Sequence, residues 1–230
     1  MNSKQIEPFS FSTIENFDKH ISSQILGYDI LDLITKRLVR LFLEDDTNVY
    51  DIGCSTGRLL NELNEAYSSD KADVVKRITY YGIENNPNFT KDLVSTANVQ
   101  YLSTDLKQDF TFNNASAVIS IFTLQFLPIH LRAKIIKSIY NGLNKGGAFI
   151  WSEKVYSESP KIQNYLTMQH FDIKRDRYSA TEILKDEESL RDIMKPLTLE
   201  ENIALLEEAG FKQIEVFWRV NNFLGILCIK

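Results

Sequence analysis

Val49-Tyr50-Asp51-Ile52-Gly53-Cys54-Ser55-Thr56-Gly57-Arg58-Leu59-Leu60-Asn61-Glu62-Leu63 reads as an apolar strand, a carboxylate, a glycine-rich turn and an amphipathic helix. That order builds a binding loop at the carboxyl end of a parallel strand. Glycine there lets backbone approach a ligand where a Cβ would collide, and Asp51 can accept hydrogen bonds from a cationic or hydroxylated group. Tight strand-to-helix turns also need glycine for purely steric reasons, so the loop alone names no ligand.

Outward from this loop, strand and helix signals alternate. Apolar strands are expected at residues 48–52, 78–83, 99–102, 117–122 and 148–152, with helical patterns at 58–66, 87–96 and 128–143 between them. Pro87 falls in the first turn of its helix, where the missing N–H does no harm, and Gly146-Gly147 marks a helix-to-strand turn. Two helices precede the alternation, at 12–23 and 28–43. After the fifth strand the alternation stops, and residues 155–197 read as a charged helical insertion or lid. A helix at 199–209 follows, then strands at 214–220 and 223–229 joined by Asn221-Asn222, which should pair as an antiparallel hairpin. The expectation is one α/β domain over residues 1–230, doubly wound around a mostly parallel seven-stranded sheet that ends in that hairpin. Such sheets bind ligands at their carboxyl edge, where the strand order reverses.

Composition removes several classes. With 230 residues and 43% hydrophobic content, the chain can bury one sizeable core. A formal net charge of -5 gives no global basic field for nucleic acid. Lys174, Arg175 and Arg177 beside Tyr178 read as a solvated helix end. The cysteines, Cys54 and Cys228, form neither a disulfide framework nor a zinc spacing, which fits a reducing cytoplasm and no metal. Residues 1–12 lack the basic head and apolar core of a secretory signal. The apolar run at 117–127 is too short to span a bilayer and contains Ser120, Thr123 and Gln125. A soluble cytoplasmic protein is expected.

Asp51, Glu84 and Asp105 fall at or just after three successive strand ends, side by side on one sheet edge. Glu84 is placed to take both hydroxyls of a ribose, since a carboxylate accepts two hydrogen bonds at once. Asp105 could accept from the exocyclic amine of adenine while Leu106 packs on the ring. Each acid alone could equally cap a helix; the three together beside a glycine turn point to a nucleoside. No phosphate-binding lysine follows the loop, and the dinucleotide fingerprint is absent. S-adenosylmethionine, a sulfonium without phosphate, suits this acidic edge.

The chain resembles class I methyltransferases and, more narrowly, the carboxy-S-adenosylmethionine synthase family that serves tRNA wobble-uridine modification. The resemblance rests on Gly27-Tyr28, Asp51-Ile52-Gly53-Cys54-Ser55, Phe122-Thr123-Leu124-Gln125-Phe126-Leu127, Ser152-Glu153-Lys154, Lys174-Arg175 and Tyr178-Ser179, and it runs over most of the chain. It implies that Tyr28, Gly53, Cys54, Ser55, Glu84, Asn85, Asp105 and Leu106 contact the cofactor; Asp51 and Gly57 join them from the loop reading. The family has Asp where Glu84 stands. The resemblance also implies a homodimer.

Two departures from the family stand out. Its synthases read the extra carboxylate of their product with an arginine nine residues after the Tyr of the Tyr-Ser pair, a position held here by Glu187. A carboxylate facing a carboxylate there repels by ~1–4 kcal/mol instead of forming a bidentate pair. A family asparagine is replaced by Ile121. Lys185 and Arg191 are the substitutes that a shift of helix register would offer. The leading expectation is therefore methyl transfer from ordinary S-adenosylmethionine to a small-molecule acceptor. Its alternatives are a true synthase using prephenate and a cofactor-binding partner subunit without turnover. Methyl transfer needs mainly in-line positioning. Tyr28, Gln125, His170 and Tyr178, with Asp172 beside them, are the candidates for the acceptor side. Direct nucleic-acid binding is not expected, because the Asn-Pro-Pro-aromatic loop of amino-group methylation is missing: Asn85-Asn86-Pro87-Asn88 follows the second strand, which is the wrong place.

Overall fold

The computed structural model describes residues 17–68, 77–191 and 193–230. Two helices, α1 (Phe17–Gln24) and α2 (Tyr28–Phe42), lead into β1 (Thr47–Ile52), α3 (Arg58–Tyr67), β2 (Ile78–Glu84), α4 (Pro87–Thr90), β3 (Val99–Ser103) and β4 (Ala115–Ile121). A 3-10 turn at Leu124–Phe126 precedes α5 (Ile129–Gly142) and the long β5 (Leu143–Tyr156). Then come α6 (Pro160–Arg175), α7 (Ala180–Arg191), β6 (Leu197–Thr198), α8 (Leu199–Ala209), β7 (Gln213–Val220) and β8 (Phe223–Ile229).

Seven strands lie in the order β3-β2-β1-β4-β5-β8-β7, as expected of the doubly wound sheet. All pairs from β3 to β5 are parallel; β8 pairs antiparallel with both β5 and β7. The chain reverses between β1 and β4, so a crevice opens at their carboxyl ends. β4 is buried along nearly its whole length, because helices cover both faces of a parallel sheet. On one face Ile52, Val118, Phe149 and Trp151 pack with residues of α5 and α8; on the other Val49, Tyr80, Ile119 and Ile150 pack with residues of α2 and α3.

Several local expectations are corrected. The helix expected at 87–96 is the single turn α4, capped where the Asn86 side chain accepts from the Asn88 N–H at 3.0 Å. Beyond it Ser95 Oγ accepts from the Tyr101 N–H and Thr96 Oγ1 from the Val99 N–H, so side chains that could sit on a helix bond the strand backbone instead. β5 is much longer than 148–152, because β8 pairs along it from Ala148 to Lys154 and β6 continues from Val155. β6 itself was not expected; two residues are too few to carry a period. Of the helix expected at 12–23, residues 12–16 lie outside the described residues. Between β5 and β6 lie the two helices α6 and α7. Among the described residues no helix is long and apolar enough to cross a membrane, and no acid, histidine and cysteine cluster could hold a metal.

Candidate active site

A cavity of about 610 Å³ occupies the crevice at the strand ends. Seven of the ten expected cofactor positions line it: Tyr28, Gly53, Ser55, Glu84, Asn85, Asp105 and Leu106. The other three serve it from behind. Cys54 turns its thiol towards β2, where a Cβ at Gly82 would lie 2.7 Å from Sγ. Gly57 sits beneath the Tyr101 ring, whose hydroxyl donates to the Gly57 carbonyl at 3.3 Å. Asp51 is buried at the end of β1. Gly53 has φ +74°, and a Cβ there would overlap the Thr123 side chain, so both the turn and the packing require glycine.

Glu84 does more than its place in the sequence suggested. Its Oε1 accepts from the Asn85 and Asn86 N–H groups at 2.9 Å each, and its Oε2 accepts from the Ser55 N–H at 3.0 Å. A carboxylate offers about four acceptor sites, so about one remains for a ribose hydroxyl rather than two. The carboxylate ties the β1 loop to the β2 loop, which holds Ser55 at φ +45°. Asp105 lines the cavity while its Oδ1 accepts from the Lys107 N–H at 2.9 Å, a turn that braces the carboxylate.

Burial, reinforced by the negative charge of Glu84, pushes the Asp51 carboxyl up to about 7. A cation bound beside it would draw it back down. In the free protein a raised carboxyl contributes less stability as pH rises from ~4, the unfolded value, towards 7. A cationic ligand that restores the charge must release a proton. Affinity for such a ligand is therefore expected to climb between pH 5 and about 7 and to level above it. Calorimetry in buffers of different ionisation enthalpy counts that proton; no release at pH 6, or an unchanged profile in Asp51→Asn, would remove Asp51 from the binding linkage.

The expected acceptor-side residues separate into different roles. Tyr28 lines the cavity against Phe122, ring centroids 6.4 Å apart, and burial raises its phenol far above the ordinary value. His170 is not a solvated helix residue but buried, lining the cavity beside Phe223; burial and the charges of Lys154 and Lys174 lower it to about 3, so it is neutral and weakly basic. Gln125 also reaches the cavity, but Oε1 accepts from the Lys154 N–H at 2.9 Å and Nε2 donates to the Phe122 carbonyl at 3.2 Å. Its amide is spent on backbone, which makes it a wall. Tyr178 bonds its hydroxyl to Ser23 on α1 and is absent from the cavity lining, so it ties the cover to α1 rather than facing a substrate. Asp172 pairs with Arg175 at 2.7 Å on the surface.

The sequence assigned no role to Lys154, Gln24 or Phe122, and Lys174, expected in a solvated helix end, is instead buried. Lys154 Nζ stands 3.8 Å from Glu187 Oε1 and 5.8 Å from the centre of the Phe223 ring, its charge disfavoured by burial. Lys174 Nζ stands 3.5 Å from Asp186 Oδ2, and all four charged residues line the cavity. Neither Lys185 nor Arg191 does so. Gln24 Nε2 is a buried donor with no partner in the same lining. An open donor in the same lining as Glu84 and Asp105 fits a ligand that brings both hydroxyls and a carboxylate, as S-adenosylmethionine does. Phe122 is held at φ +53°, a strained conformation for a bulky residue, with its N–H donating to the Ser152 carbonyl at 2.8 Å. Its place inside the Phe-Thr-Leu-Gln-Phe-Leu run was the available signal. Helix α1 closes the near side: Asp18 Oδ2 accepts from Thr56 Oγ1 at 2.9 Å and Oδ1 from Arg58 Nε at 3.0 Å, latching α1 to the glycine loop.

Residues 50–151 match the family described as a methyltransferase domain. The chain is similar to a carboxy-S-adenosyl-L-methionine synthase of Staphylococcus epidermidis, 39% identical over 96% of this chain and 95% of that one. It is also similar to a carboxy-S-adenosyl-L-methionine synthase of Methylococcus capsulatus, 30% identical over 96% and 93% of the two chains. Among solved structures, human N-acetylserotonin methyltransferase in complex with S-adenosylmethionine shares the fold: TM-score 0.54, 16% identity, 86% of this chain and 52% of that one covered.

Proposed function

Since the chain belongs to the carboxy-S-adenosyl-L-methionine synthase family, we propose that it binds ordinary S-adenosylmethionine and passes its methyl group to a small acceptor held under α6 and α7. The observation that carries this reading is the Lys154–Glu187 pair in the cavity wall. A carboxylated cofactor brings an extra negative charge to the transferable carbon. Here the lysine that could meet that charge is already answered by Glu187, and Lys174 by Asp186. A third carboxylate would have to displace one of them in a partly dry site, where unbalanced charge is strongly disfavoured. A neutral methyl group asks for no such exchange.

When bound, S-adenosylmethionine would supply an electrophilic methyl carbon, with the S–CH3 electron pair kept by the thioether of S-adenosylhomocysteine and any acceptor proton lost to solvent. The residues of the chain do the remaining work. Glu84, Asp105 and Leu106 hold the nucleoside end, and Gln24 donates to the carboxylate end. Tyr28 and Phe122 wall the cavity with rings that exclude water. With Tyr28 raised and His170 lowered, neither side chain is a base near neutral pH. The rate then rests on alignment, which supplies several orders of magnitude for a leaving group as good as a thioether.

The second reading, synthesis of the carboxylated cofactor, is favoured by the relatives' shared activity name and by the presence of Lys154 and Lys174. Denaturing the purified protein and identifying the released molecule by mass spectrometry separates the two. S-adenosylmethionine or S-adenosylhomocysteine supports methyl transfer; the carboxylated cofactor overturns it. In titrations the wild type is expected to bind carboxy-S-adenosylmethionine at least ~10-fold more weakly than S-adenosylmethionine. Glu187→Arg, which frees Lys154 and adds a bidentate donor, is expected to reverse that preference. An unchanged preference in the variant would mean that Glu187 has no part in choosing the cofactor.

A further inference from the structure

A second cavity, of about 240 Å³, lies beyond the Lys154–Glu187 pair. It shares Lys154, His170, Glu187, Leu190 and Met194 with the larger one, so the two meet across those side chains. Two features belong to the second cavity alone. Arg191, at the end of α7, presents a guanidinium that makes no ion pair among the described residues. Asn222, only 2% exposed, has an Oδ1 with no hydrogen-bond partner.

Gln163 and Thr167 of this lining are already engaged with one another. Gln163 Oε1 accepts from the Ser157 N–H at 2.8 Å, and its Nε2 donates to Thr167 Oγ1 at 3.1 Å. The Asn222 carbonyl accepts from the Val155 N–H at 2.7 Å, which fixes the residue, and its buried side-chain oxygen has no partner. The open groups thus include a guanidinium and a buried acceptor, with Tyr156 and His170 also in the lining, beside the apolar surfaces of Phe171, Leu190 and Met194. A buried acceptor calls for a donor, and an unpaired guanidinium for a planar anion.

We propose that this second cavity is the acceptor chamber and takes a small organic carboxylate bearing a hydroxyl or amino group. The carboxylate lies against Arg191, on the far side from the Lys154–Glu187 pair. The donor group lies on Asn222 Oδ1, and the carbon skeleton on Phe171 and Leu190. From there the molecule reaches the cofactor cavity past Lys154 and His170. This assignment rests on the methyl-transfer reading above and names the class of its acceptor.

The test is calorimetric titration of the protein, free and saturated with S-adenosylhomocysteine. The probes are 4-hydroxybenzoate and 3-hydroxybutyrate, each against its neutral amide, with benzoate as the probe lacking a donor. At least one carboxylate is expected to bind tenfold or more tighter than its amide. Arg191→Ala, or Arg191→Gln if the alanine variant folds poorly, removes that preference and leaves S-adenosylhomocysteine affinity unchanged. Asn222→Ala removes the advantage of 4-hydroxybenzoate over benzoate. Absence of saturable binding by both hydroxy acids overturns the proposal, as does a carboxylate preference that survives loss of Arg191. Failure of S-adenosylhomocysteine itself to bind defeats the methyl-transfer reading, whereas its binding without any carboxylate binding defeats the acceptor chamber alone.

Discussion

Arg132→Ala is expected to lower stability by ~3–5 kcal/mol, from buried carbonyls left without donors at about 1–3 kcal/mol each and from the void, and the Tm by roughly 10 °C. Arg132 is completely buried on α5. Its Nη2 donates to the Gln125 carbonyl at 2.9 Å, and Nε and Nη2 both donate to the Leu127 carbonyl at 3.1 Å. Opposite lies Glu153, also buried, whose Oε1 accepts from Trp151 Nε1 at 2.8 Å. Burial pushes that carboxyl up to about 8, and the Arg132 charge is one of the effects that hold it down. Alanine leaves two carbonyls without donors, an unbalanced acid and a void the size of the guanidinium.

The pH dependence gives a second readout. A carboxyl raised in the folded state loses stability as pH climbs from ~4 to its folded value and is level beyond it. The wild-type contribution therefore levels near pH 8, while the variant, with its carboxyl higher still, continues to lose stability above that point. Urea melts from pH 6 to 9 measure both effects. A loss below ~1 kcal/mol at pH 7 would show that the 122–127 segment holds its shape without the arginine.

Glu84→Ala is expected to weaken S-adenosylmethionine by at least ~100-fold, since hydrogen bonds to a charged group contribute about 1.5–3 kcal/mol each. The loss comes from two sources. A ribose hydroxyl loses its acceptor, and the N–H groups of Ser55, Asn85 and Asn86 lose the oxygens that hold two loops together. Glu84→Gln distinguishes them. Glutamine keeps the shape but turns one accepting oxygen into a donor, which must face either Ser55 or the Asn85–Asn86 pair, donor against donor. The glutamine variant should therefore fall nearly as far as alanine, whereas Glu84→Asp should stay within about tenfold. Binding of the glutamine variant within threefold of wild type would mean that charge and acceptor geometry at Glu84 contribute little.

The sheet order was legible because apolar strands and helical periods alternate, and that alternation admits few windings. The cavity edge was legible for the same reason: Glu84 and Asp105 are placed by strand ends, and the sheet brings strand ends together. The acceptor side was not. Lys154 meets Glu187 through an insertion whose helices can turn a side chain by ~100° with one residue of slippage. Gln125 looked like a positioning group until its amide was seen to bond the backbone at Phe122 and Lys154, contacts that no local pattern encodes. Tyr178 went to Ser23 of α1, 155 positions away in sequence. β6 and the short α4 escaped because pairing and side-chain capture, not periodicity, determine them.

The bonds from Asp18 to Thr56 and Arg58 make cofactor traffic a matter of helix departure. Because α1 supplies Phe17, His20, Ile21 and Gln24 to the wall, a bound nucleoside is expected to leave faster when that helix swings off the loop. Residence time is then governed at Asp18, which touches no ligand. Its carboxylate is a third exposed, so dissolved salt reaches it and shortens the stay of any occupant without altering a group that recognises it. Release of bound S-adenosylhomocysteine is therefore expected to be slower in dilute buffer than in added salt, which stopped-flow dissociation measures.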